Sequence, residues 1–229
     1  CQQDNVSFQF TENSKLFTCY NNNTIKAHRN ILVDTLAKYD LIKLGIVTLV
    51  NPNPDIKYPF KYHTGERLLD EANFVLNAKQ EFIAPNYPRS YFNGYLDIVS
   101  ESTFEEGEFF VTEKTAKPLG ALKPFLVVGP PKFHKHLQEK YGLELYTELF
   151  DYSFDDEPDL EKRIEGVVQN LLKYKDYSIS DLEKINASIF TKLRRNRKKF
   201  VDLKYSGQFI PERLMPLNID DSCYGAVDA

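Results

Sequence analysis

Strand-length apolar runs alternate with stretches of helical periodicity along the first 141 residues, and few architectures can bury both kinds of segment in that order. A strand is predicted at 16–20, followed by an Asn-rich turn at 21–23 and a helix over 25–42, where Ile31, Leu32, Thr35, Leu36 and Tyr39 recur at helical spacing. A second strand at 46–50 is stopped by the Asn/Pro turn at 51–54. The pattern then predicts a helix over 65–76, a strand at 95–100, a strand at 109–111, a short helix over 115–122, a strand at 124–128, a helix over 132–141 and a further strand at 143–146. The last third reads as helical. Pro158 takes a first-turn position ahead of Leu160, Ile164, Val167, Val168, Leu171 and Leu172, and a final helix over 180–203 carries Leu182, Ile185, Ile189 and Leu193 on one side. The expected fold is α/β, a Rossmann-like, mostly parallel sheet with helices on both faces and a helical C-terminal third. One α/β domain is expected over 1–204 with a tail at 205–229, and the start at Cys1 without a signal-like pattern reads as a piece of something longer.

Composition narrows the function classes. The net charge of −4 gives no general attraction to polyanions, so nucleic acid is not the expected partner. One strongly basic run stands out: Lys192, Arg194, Arg195, Arg197, Lys198 and Lys199 lie on a predicted amphipathic helix, near the end where cations are favoured. Solvation explains that face, with contact to an anionic glycan, a phospholipid surface or nucleic acid as the alternative. Cys1, Cys19 and Cys223 have neither disulfide-framework nor zinc-site spacing, which fits a reducing, cytoplasmic setting. The longest apolar runs are strand-length, far short of the ~20 residues of a membrane span. His134 and His136, two apart on a predicted helix, point to different faces and suit no metal. Hydrolase, metalloprotease, P-loop and GxGxxG motifs are absent from the sequence.

The stretch 109–131 is the most informative. It reads as strand, polar turn, short helix, buried strand and a Gly-Pro-Pro stop, with Pro118 in the first turn of a helix starting near Thr115. Glu113 and Lys114 then sit between a strand's carboxyl end and a helix's amino end, where α/β sheets bind anions. A lysine there can neutralise a diphosphate, and a carboxylate can accept hydrogen bonds from ribose hydroxyls. A solvated surface pair is the plainer alternative. Separately, Lys26, His28 and Arg29 open the first predicted helix, where cations oppose the dipole unless an anion or full solvation offsets them.

Residues 98–103, an acidic loop, and Phe109-Phe-Val-Thr-Glu-Lys114 resemble the donor-site signature of the fucosyltransferase-like glycosyltransferases, and the Asn-rich turn leading to His28-Arg29-Asn30 is similar to that family's helix-opening arginine. The resemblance spans residues 16–131 and departs at Ser102, Ala116 and Pro118. It implies the donor-binding portion of a two-Rossmann-domain (GT-B) enzyme that moves a hexose or 6-deoxyhexose, fucose- or rhamnose-like, from a nucleotide diphosphate sugar to a glycan hydroxyl, with no other cofactor. Arg29 and Lys114 would hold the diphosphate, Glu113 the ribose, Phe110 the nucleoside side, and Glu101 would face the sugar or brace the site. The absence of an Asp-any-Asp triplet removes the paired-carboxylate metal signature, so no metal is expected. Glu101, Glu66 and Asp70, with Glu71 and His63 nearby, are candidates for a catalytic base. Two other functions stay open: a non-catalytic nucleotide- or glycan-binding interaction domain, and a nucleic-acid module using the basic helix.

Overall fold

The computed structural model describes residues 11, 14–21, 26–49, 89–107 and 109–205. Strands β1 (Lys15–Asn21), β2 (Gly45–Leu49), β3 (Gly94–Ser100) and β4 (Phe125–Val128) form a parallel sheet in the order β2-β1-β3-β4. Every residue of β3 and β4 is buried. This continuous pattern, in place of an alternating one, is what a parallel strand covered on both faces requires.

The covering helices are α1 (Ala27–Lys38), α2 (Glu113–Gly120), α3 (Phe133–Tyr141), α4 (Leu160–Leu172) and α5 (Ile179–Tyr205). Helix α1 packs on α4, α4 packs on β4, and α2 packs on α5. Leu32 and Leu36 of α1 join Phe17, Cys19, Leu96 and Ile98 in the core, all but fully buried. On the other face the ring of Phe125 meets Tyr146 edge-on, and the hydroxyl of Tyr146 accepts a hydrogen bond from Asn196 of α5. The α/β class with a parallel sheet and the helical C-terminal part are as expected. Among the described residues no helix is long and apolar enough to cross a membrane.

Several local expectations are corrected. Residues 109–111 and 143–146 form no strand, although each is apolar. Phe109 instead packs on Phe133, His136 and Tyr141, and Tyr146 serves the α5 contact. Helix α2 opens at Glu113, two residues early, because the Thr112 hydroxyl caps it by accepting from the Lys114 amide at 3.2 Å. Pro118 therefore stands inside the helix and leaves the Lys114 carbonyl without its usual amide partner. Helix α4 opens at Leu160 behind an Asp159 cap, so Pro158 precedes the cap. The predicted helix at 65–76 and the tail from 206 onward lie outside the described residues.

Candidate functional site

From β1 the chain crosses to β2 on one side, while β3 and β4 fill the other side. The sheet therefore reverses between β1 and β3, and in open parallel sheets ligands bind outside the carboxyl ends of the strands at that reversal. The β1–β3 pairing runs from Lys15–Gly94 to Thr18–Asp97 and stops three residues before either strand ends. Continuing the register sets Asn21 level with Ser100 across the opening. Both sit on the sheet face that carries Cys19 and Ile98, the α1 side, because side chains alternate along a strand.

Glu101 follows directly and is fully buried. One carboxylate oxygen accepts from the Thr112 amide (3.1 Å) and the Thr115 hydroxyl (2.5 Å). The other accepts from the Thr112 hydroxyl (2.5 Å) and the Ser102 amide (3.2 Å). The carboxylate thus ties the end of β3 to the amino end of α2, and the bracing role is the one this geometry gives it. Its main-chain carbonyl accepts from His28 Nε2 at 2.9 Å, which fixes the start of α1 to the same residue.

Helix α1 begins without help from its own sequence. Lys26, in the cap position, makes no side-chain capping bond, and the first turn contains no acid. His28 does not behave as one of three opening cations: it is wholly buried, and burial together with Arg29 pushes its imidazole down to about 4, so it is neutral near pH 7. The ring lies 4.7 Å from that of Phe104. The Arg163 guanidinium holds the Phe104 carbonyl (3.1 Å) and that of Gly129 (3.0 Å). Among the described residues, three buried polar atoms at this end of the sheet have no partner: Asn21 Oδ1, His28 Nδ1 and Ser100 Oγ. Each such atom costs about 1–3 kcal/mol, a cost a ligand's hydrogen bond removes.

Neutral His28 makes stability pH-dependent. Its folded pKa lies below the unfolded value, so the unfolded chain binds more protons between about pH 6.5 and 4. Stability is expected to fall across that window on acidification by up to roughly 3 kcal/mol. Urea midpoints at pH 7 and 4.5 check this, and His28→Gln should flatten the difference.

The cations converge on the same end. Arg29 is buried, which lowers its pKa, while Glu101 and Glu113 act on it in the opposite sense. Lys114 Nζ donates to Glu113 (2.8 Å), Ser102 Oγ (3.1 Å) and Thr112 Oγ1 (3.3 Å). Burial alone would push the Glu113 carboxyl up, but Lys114 outweighs it and holds the group below the usual range. Glu113 thus pairs with Lys114 and acts electrostatically on Arg29. Phe110, two residues ahead of Thr112, is 43% exposed.

Glu66, Asp70, Glu71 and His63 lie outside the described residues. His134 is buried on Asp155 (2.7 Å), and its other ring nitrogen accepts from the Val127 amide (3.0 Å), so it locks α3 to β4. On the basic helix, Lys192 pairs with Glu148, Arg195 with Glu144 and Lys198 with Asp202, which neutralises half of the run. A groove of about 710 Å3, lined by Phe150, Tyr152, Tyr174 and Tyr177 among others, shares no lining residue with the crevice. Of its polar groups, Tyr174 donates to the Leu149 carbonyl and Glu148 accepts from Lys192, and none of the unpartnered buried atoms belongs to its lining. Sequence reasoning passed over Asn21 and Ser100. The available signal was position, the last residue of each strand flanking the reversal. Comparison of the chain with protein-family models, curated proteins and solved structures found no match.

Proposed function

We propose that this chain is the nucleotide-sugar-binding portion of a glycosyltransferase that moves a hexose or 6-deoxyhexose from a nucleotide diphosphate to a glycan hydroxyl. The observation that carries the reading is that Glu113 pairs with Lys114 at 2.8 Å and also acts electrostatically on Arg29, which comes from a distant stretch of the chain. The resemblance of residues 98–131 to a donor-site signature supports the same assignment. In this scheme a diphosphate draws Lys114 from Glu113, and the two cations stabilise the charge that builds on the departing phosphate. Glu113, relieved of its partner, turns to the ribose hydroxyls, and the nucleoside side lies over Phe110. The two-domain GT-B arrangement, with an acceptor domain supplying the base, belongs to this proposal.

A second reading, a binding domain without transfer activity, draws on one observation. Both oxygens of Glu101 are occupied, and the other carboxylate described at the crevice, Glu113, is held by Lys114. A sugar-transfer assay separates the two readings, since only the enzyme releases nucleoside diphosphate in step with product.

The binding test is calorimetric titration with GDP, UDP and dTDP and their sugars. Lys114→Ala and Arg29→Ala are each expected to weaken the ligand that binds by about 10- to 100-fold, the loss of one charge-assisted contact. Unchanged affinity in both variants would falsify the assignment.

A further inference from the structure

The hydrogen bond from His28 to the Glu101 carbonyl fixes the ring's tautomer. A carbonyl only accepts, so Nε2 carries the proton, and Nδ1 on the other edge of the ring is a bare acceptor. The residue is wholly buried and Nδ1 has no partner. The ring cannot turn to find one without giving up both the Glu101 bond and the packing on Phe104. What fills this position must therefore bring a proton to share. An ionised diphosphate has none, and two acceptors repel, so the phosphates belong with the guanidinium and the ammonium instead. At the same end of the sheet Asn21 offers an unpartnered amide oxygen, and Ser100 an unpartnered hydroxyl that both donates and accepts. A polyol suits such a set, because each of its hydroxyls can give one hydrogen bond and receive another.

Resting on the donor-site reading above, we infer that His28 is a specificity-determining residue whose Nδ1 accepts a hydrogen bond from a hydroxyl of the bound nucleotide sugar in the crevice between β1 and β3. The hydroxyl belongs either to the ribose or to the transferred sugar, and the two are separable. His28→Gln retains an N–H able to reach the Glu101 carbonyl but carries no acceptor at the Nδ1 position; His28→Asn retains an acceptor close to that position.

The experiment titrates the unaltered protein, both variants and Lys114→Ala with whichever of GDP, UDP or dTDP binds, and then with its hexose conjugate. His28→Gln is expected to weaken binding about tenfold, and His28→Asn distinctly less. Loss confined to the conjugate assigns the hydroxyl to the transferred sugar, and equal loss with both ligands assigns it to the ribose. Affinities within about twofold of the unaltered protein for both ligands, with Lys114→Ala still impaired, overturn this inference and leave the donor-site reading standing. If no nucleoside diphosphate or conjugate binds the unaltered protein, both fall together. A nitrogen spectrum of 15N-histidine-labelled protein serves where a variant fails to fold. The bare Nδ1 resonance of His28 is expected to move on saturation with the conjugate, and an unmoved resonance refutes the contact.

Discussion

Replacing Glu101 with alanine is expected to lower the unfolding free energy by roughly 3–5 kcal/mol, because one buried carboxylate is withdrawn from four donors at once. Two hydroxyls and two amides lose their acceptor, and all but the Ser102 amide belong to buried residues. The start of α2 suffers most, since Thr112 both caps that helix and donates to Glu101. Glu101→Gln keeps the shape but replaces one acceptor with a donor facing other donors, so it should recover only part of the loss. Thr115→Val removes a single donor and is expected to cost about 1 kcal/mol. Urea denaturation of the three variants reads these values. A loss below about 1 kcal/mol in the alanine variant would mean that the carboxylate is dispensable to the fold. The main-chain carbonyl survives every one of these substitutions, so the acid sensitivity traced to His28 should persist in all of them.

Lys123→Met is expected to cost a similar amount, roughly 3–5 kcal/mol, for a different reason. The ammonium is all but completely buried beneath the sheet, donating to Thr18 Oγ1 (2.8 Å) and the Tyr91 carbonyl (3.0 Å), and it lies 4.0 Å from the centre of the Tyr91 ring. Asp97, its counter-charge, accepts from Thr18 (2.9 Å) and from the Tyr91 hydroxyl. Removing the lysine strands that carboxylate in a setting where burial already raises its pKa. The double variant Lys123→Met, Asp97→Leu should lie closer to the unaltered protein than Lys123→Met alone, and a double-mutant cycle measures the difference.

The same pair predicts an alkaline effect. Burial lowers the Lys123 pKa to about 8, below the ordinary lysine value, so the unfolded chain binds more protons between about pH 8 and 10 and stability should rise across that interval. Above about pH 10 the trend should reverse, since buried Tyr95 and Tyr146 have raised pKa values and the unfolded chain ionises its tyrosines first. Chemical denaturation at pH 7.5, 9.5 and 11 checks both signs.

The strands were the most legible part of the chain. Runs such as Phe125-Leu-Val-Val and Tyr95-Leu-Asp-Ile-Val are too short and too β-branched for helices, and burial on both faces makes them continuous. Leu143–Tyr146 shows where that signal fails. Apolar character records burial without saying what does the burying, and here the partner is a helix over fifty residues away rather than a neighbouring strand. At the crevice, residue types were readable and environments were not. Lys114 and Glu113 could be placed at a helix start because capping and turn chemistry are local. The four bonds that occupy Glu101 span up to fourteen residues and depend on how a loop closes, so its side chain could be read equally as facing a ligand or bracing a fold. His28 was counted as a cation from its type and its neighbours, whereas complete burial makes it neutral. Desolvation is a tertiary quantity that no local pattern displays.

One residue sets the spacing of both helix starts at the crevice. Through its carbonyl Glu101 anchors α1, and through its carboxylate it anchors α2, so the gap between the two helix starts behaves like the opening of a caliper with a single screw. Ligand preference at such a gap can be retuned by exchanging side chains on either jaw, at positions 29, 110, 113 and 114, without altering its width. A change at the screw instead shifts both jaws together, so variants there should alter affinity for every ligand in parallel and leave the ranking among ligands intact.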